Sequence, residues 1–179
     1  MPTTSQINKC AEDILRQSGM LRVPVDVELV AHRLNLRTEA ASLGENVSGL
    51  LVVEKGHGVI GYNMTQALVR QRFTIAHEIG HFVLHRHNDP SSLFIDTHYI
   101  VYRRDAQSAT GEDRREIEAN RFAAALLMPA TLLQTEIQKK PFDFGDEEML
   151  TDLASKFQVS TQAMSIRLSS LGFNIWQEE

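Results

Sequence analysis

Arg72-Phe73-Thr74-Ile75-Ala76-His77-Glu78-Ile79-Gly80-His81-Phe82-Val83-Leu84-His85 is the stretch on which this chain is decided. Its spacing predicts a helix from about Thr65 to His85, ended by Asn88-Asp89-Pro90. His77 and His81 are four positions apart and so lie one above the other on one helical face. From there both imidazoles reach a single ion at roughly 2.0–2.1 Å per Zn–N bond. Glu78 sits about 100° further round the wheel. That places it beside the ion's open position, within reach of a bound water's proton. The surrounding segment is apolar, where an unpaired polar group is costly, so a solvated His/Glu face is the weaker account.

A zinc hydrolase site normally takes three protein ligands and leaves the fourth position to water. His85 lies one turn beyond His81, but a straight helix cannot wrap three successive turns around one ion. No glycine bend separates the two, so His85 reads as a core or supporting histidine. A second helix is predicted over Glu116–Met128, and it offers Glu116 and Glu118. These lie roughly 200° apart on the wheel, so only one faces the metal. Glu116 shares its face with Asn120, Ala123 and Leu127, and Asn120 is placed to hold a ligand by hydrogen bond. Glu118 shares its side with Phe122 and reads as a solvated helix-start carboxylate favoured by the dipole. Glu116 is therefore the expected third ligand. Four alanines make this helix a slim rod, with Gly80 as the matching notch on its neighbour. Pro129 breaks it and opens the next.

Around these two helices the pattern predicts a first helix over Ile7–Arg16, capped by Ser5 and ended by Gly19. A second follows Pro24 and Asp26, with Val27, Val30, Ala31 and Leu34 at helical spacing. Leu36–Glu39 reads as a short strand. Val47–Val53 and Gly58–Tyr62 read as an antiparallel pair joined by Glu54-Lys55-Gly56-His57. Leu93–Tyr102 adds a further candidate strand, and Arg103–Arg115 reads as a mobile surface loop. Two helical stretches flank Phe157-Gln158-Val159-Ser160, with Ser160 as an N-cap and Gly172 as a stop. The expected class is α+β: residues 1–130 as the metal-bearing domain, and 131–179 as a helical extension packed on the same unit.

The chain has 179 residues, enough to bury a core without staples. Its single cysteine, Cys10, excludes an internal disulfide framework and suits a reducing cytosol. With no secretion signal or membrane-length apolar run, a cytoplasmic protein is expected. The net charge of −5 argues against broad attraction to nucleic acid or anionic lipid. The C-terminal helices superficially resemble a helix-turn-helix. From Glu147 onward, however, only Lys156 and Arg167 oppose Glu147, Glu148, Asp152, Glu178 and Glu179, the wrong sign for phosphate.

The two helical motifs, with Val47-Ser48-Gly49 ahead of them and Val159-Ser160 and Arg167-Leu168-Ser169-Ser170-Leu171-Gly172 behind, resemble the ImmA/IrrE family of metallopeptidases. The resemblance covers most of the chain. It implies a zincin-like core with a glutamate third ligand, carried here by Glu116, and cleavage of helix-turn-helix repressors. Many relatives carry an N-terminal DNA-binding domain, whereas this chain starts almost directly at the catalytic unit. Action in trans on a separate repressor is therefore expected.

The expected chemistry is peptide hydrolysis with zinc, or manganese as the alternative ion, on His77, His81 and Glu116, and with Glu78 as general acid/base. The strand before the motif helix is expected to align an extended substrate by strand addition. His98, Tyr99 and Tyr102 are the weaker candidates for oxyanion stabilisation, since aromatic residues there more often pack. The alternative is a metal-bound regulator that binds a repressor or toxin partner without cutting it.

Overall fold

Thr3 opens the first helix with a capping box: its hydroxyl accepts from the Gln6 amide, and the Gln6 side chain accepts from the Thr3 amide. Helix α1 therefore runs Thr4–Ser18, two residues earlier than Ser5 capping implies. Apolar periodicity missed that earlier start because its first member is Ile7. Gly19 ends α1 in the left-handed conformation at φ 72°. A computed structural model describes residues 2–44, 47–54, 57–85, 93–96, 111–139 and 146–173.

Asp26 caps α2 (Val27–Arg33), and β1 follows over Leu36–Ala41. Strands β2 (Gly49–Glu54) and β3 (His57–Asn63) form the expected antiparallel pair. Helix α3 is Leu68–His85 and β4 is Leu93–Asp96. Then come α4 (Gly111–Leu127), α5 (Ala130–Ile137), α6 (Glu147–Phe157) and α7 (Thr161–Ser170). The class is α+β, as the sequence predicts. Helix α3 starts later than Thr65 because the Asn63 carboxamide accepts from the amide and hydroxyl of Thr65, holding the chain in a turn.

The sheet order is β1-β3-β2-β4. It is mixed rather than purely antiparallel, since β1 runs parallel to β3. The chain leaves β1, crosses to the far side of the sheet as β2, and returns as β3 between the two. The strand before the motif helix is therefore paired on both sides. The expectation that it receives a substrate strand is wrong, because its ladder bonds are already used. Among the described residues, the edge strands are β1 and β4.

Gly111–Arg115 is helical rather than part of a surface loop. The segment lacks an apolar stripe, so periodicity could not separate a polar helix start from a loop. The rest of that expected loop, residues 97–102 of the fourth candidate strand, and Asn88-Asp89-Pro90 lie outside the described residues. So do His98, Tyr99 and Tyr102.

Helix α3 is the centre of the molecule, packed against α2, α4, β2 and β3. Every residue from Thr74 to Phe82 is buried, because sheet and helices cover it from different sides. Ile7, Ala11 and Leu15 of α1 form a buried i, i+4, i+8 row, and α1 packs against α4. Phe122 and Leu126 of α4 are fully buried in the same core. Each such side chain contributes about 1.5–3 kcal/mol through burial. Pro129 ends α4 and caps α5, as expected.

Candidate metal centre

A β-carbon built on Gly80 would stand 3.1 Å from Ala119 Cα, 3.1 Å from its carbonyl oxygen and 3.2 Å from Phe122 Cβ. Glycine at this position lets α4 settle directly on α3. The contacts 77 to 120, 80 to 119, 81 to 116 and 85 to 115 step in opposite directions, so the two helices run antiparallel.

This seating brings Glu116 to the two histidines. The Nε2 atoms of His77 and His81 are 2.9 Å apart. Glu116 Oε2 lies 3.1 Å from His77 Nε2, and Oε1 lies 3.1 Å from His81 Nε2. Three donors bound tetrahedrally at roughly 2.0–2.1 Å stand about 3.3 Å apart. The observed triangle needs only a slight expansion, so the residues present fit a divalent cation. Among the described residues, these are the three metal-ligating side chains that converge.

The burial is uneven. His77 and His81 side chains are 1% and 2% exposed, whereas Glu116 is 46% exposed. Burial acts to raise the Glu116 carboxyl pKa. The hydrogen bonds and charges of the two imidazoles outweigh it and hold the group well below the usual carboxylate range. The site thus keeps an anionic oxygen beside two nitrogen donors.

His77 Nδ1–H donates to Asn120 Oδ1 at 3.0 Å. A carbonyl oxygen only accepts, so Nδ1 carries a proton, and Nε2 is the nitrogen that would offer its lone pair to a bound ion. This is the ligand-holding role expected of Asn120.

Glu78 is fully buried and points toward the start of β2. Its Oε1 would lie 3.2 Å from a β-carbon on Gly49, and Thr74 Cγ2 only 2.3 Å from it. Only glycine allows the strand to pass so close to the carboxylate. Ser48 anchors the crossing, its hydroxyl accepting from Gln66 Nε2 and Arg70 Nη2. The sequence reading assigned Gly49 no structural role. A glycine inside a strand is itself a sign of close backbone approach.

His85 stays out of the triangle, as expected. Burial and the neighbouring His81 push its pKa down. Glu118 departs from expectation: its side chain is only 14% exposed, with Oε2 3.8 Å from His85 Nε2. The end of α3 covers it, a long-range packing that helix-wheel reasoning on α4 alone could not show.

The tail's two cations are both engaged. Lys156 pairs with Glu136. Arg167 is buried, with Nε donating to Met128 O and Nη1 to Asn8 Oδ1, and burial lowers its pKa to about 10. Among the described residues, no helix is long and apolar enough to cross a membrane.

The model of the IrrE N-terminal-like domain, Peptidase_M78, matches residues 30–169. Among solved structures, a Mycobacterium tuberculosis transcriptional regulator shares the fold, with a TM-score of 0.60 at 18% identity. The alignment covers 91% of this chain and 46% of that one, so this chain spans about half of its length. No curated protein is significantly similar to it in sequence.

Proposed function

Since this chain belongs to the Peptidase_M78 family, we propose that it is a zinc-dependent endopeptidase that cleaves a helix-turn-helix repressor in trans. One observation carries the metal chemistry: three donor atoms on two helices stand 2.9–3.1 Å apart, with a buried glutamate next in sequence to the first histidine. His77, His81 and Glu116 would hold the ion. Zinc supplies Lewis acidity, lowering the pKa of water towards about 7 and polarising a carbonyl.

The chain's own residues do the rest. Glu78 takes the proton of the attacking water at a carboxylate oxygen and returns it to the leaving amine. Its burial against the backbone of Gly49 limits where that carboxylate can move. Asn120 keeps the His77 proton on Nδ1. An extended peptide has β4 as its docking edge, because β4 flanks β2 at Gly49↔Asp96, next to Glu78. In this account residues 1–130 form the peptidase domain and 131–179 pack on it, a division supported by the Arg167 bonds to Met128 and Asn8.

Direct duplex binding is disfavoured, since Lys156 and Arg167 are engaged within the protein. The test is incubation with helix-turn-helix repressors encoded beside its gene, with and without chelator, followed by intact-mass measurement. Two fragments whose masses sum to repressor plus water, formed only without chelator, are the expected result. An uncut repressor at full zinc occupancy overturns the peptidase assignment.

A further inference from the structure

His85 is the last residue of α3 and only 6% exposed. Its Nε2 stands 3.3 Å from the carbonyl oxygen of Arg115. That oxygen accepts, so Nε2–H donates. Arg115 is the residue immediately before Glu116. The ring of His85 also lies 5.6 Å, centroid to centroid, from that of His81.

The three residues of the triangle are restrained differently. His77 and His81 are held by burial within α3, and their spacing is a property of one helix. Glu116 has a half-exposed side chain and comes from the second turn of α4. The seat of α4 on Gly80 is at Ala119 and Phe122, both C-terminal to Glu116. The turn N-terminal to Glu116 is met by His85. Glu116 is thus bracketed by a backbone contact on one side and an imidazole hydrogen bond on the other.

We propose that His85 is a positioning residue for the metal centre: by gripping the Arg115 carbonyl it fixes the α4 turn that presents Glu116 to His77 and His81. This rests on the metal-site assignment above. A histidine at the end of the motif helix therefore serves the ion without touching it. Glu118, three residues after Arg115 on α4 and with Oε2 3.8 Å from His85 Nε2, helps to enclose the ring.

The test compares wild type, H85L and H85Q by zinc affinity in chelator competition, by the visible spectrum of the cobalt-loaded protein, and by apo-protein melting. H85L is expected to bind zinc 10–100-fold more weakly, the usual cost of losing a group that orients a ligand. Its cobalt spectrum should move toward that of E116Q. H85Q keeps a donor near the Nε2 position and should restore most of the affinity. In an E116Q background H85L should cost nothing further, because the ligand it serves has gone. An equal loss in that background, or H85Q as weak as H85L, assigns His85 to packing and overturns the proposal. So does wild-type affinity in H85L. If wild type itself binds no zinc, the underlying metal-site assignment fails first, and this one with it.

Discussion

Gly80 and Ala119 are in backbone contact: a β-carbon on the glycine would stand 3.1 Å from both the Cα and the carbonyl oxygen of the alanine. G80A should gain about 1 kcal/mol of helix propensity. Overpacking opposes it, typically by about 1–3 kcal/mol, and the contacted atoms are backbone that cannot rotate away. Net destabilisation of about 1 kcal/mol in urea is expected, with weaker zinc binding because α4 carries Glu116. Unchanged stability together with unchanged zinc affinity would show that the helices separate freely.

E78Q keeps the shape of the buried side chain and removes the base. Peptide cleavage should fall by roughly 10²–10⁴-fold, while zinc and repressor binding persist. Mass spectrometry and a binding assay on the same sample separate the two. A biological response that survives E78Q in full favours the binding-only alternative.

Asn120 offers one acceptor to His77 at 3.0 Å. N120L should lower zinc affinity about 10–100-fold. N120D keeps an oxygen there and should lose far less. Equal affinities across all three proteins would remove Asn120 from the metal centre.

Two of the three residues of the candidate site were legible because an i, i+4 pair is a local property of one helix. Glu116 was legible for a related reason: its face also carried Asn120 and small residues, while Gly80 supplied the matching notch. Long-range pairing was hidden. Nothing local to β1 reveals that it runs parallel to β3, and nothing local to Glu118 reveals that His85 covers it. The helical start at Gly111 was missed because polar residues in a helix and in a loop look alike when neither has an apolar face.

Zinc removal should leave the chain folded. The core around Phe122, Leu126, Ile60 and Phe157 is apolar and includes none of His77, His81 and Glu116. Binding adds stability by mass action, about 2.7 kcal/mol when free zinc is a hundred times the Kd. Calorimetry should show a reversible rise in Tm on adding zinc to the apo protein. Loss of helical signal at room temperature with chelator would contradict this.

Glu136 gives a pH signature away from the metal. Its carboxylate accepts from Lys139 Nζ at 2.6 Å and from Lys156 Nζ, and these bonds hold its pKa below the usual value. A carboxyl whose pKa is lowered on folding adds stability above its unfolded pKa of about 4.3, and loses it as pH falls through the folded value. Both lysine side chains are about half exposed, so E136Q should cost up to about 1 kcal/mol near neutrality. The cost should vanish in acid. A Tm difference that stays constant down through the carboxylate range would rule out the linkage.

The split of the triangle between two helices orders the molecule's assembly. The two imidazoles share one face of α3 by helical pitch alone, a two-nitrogen clamp within a single helix. Such a clamp holds a cation loosely and discriminates poorly among ions. The third, anionic grip of the proposed site is added only where α4 docks on α3, so tight and selective loading would be reserved for chains in which the two helices are packed.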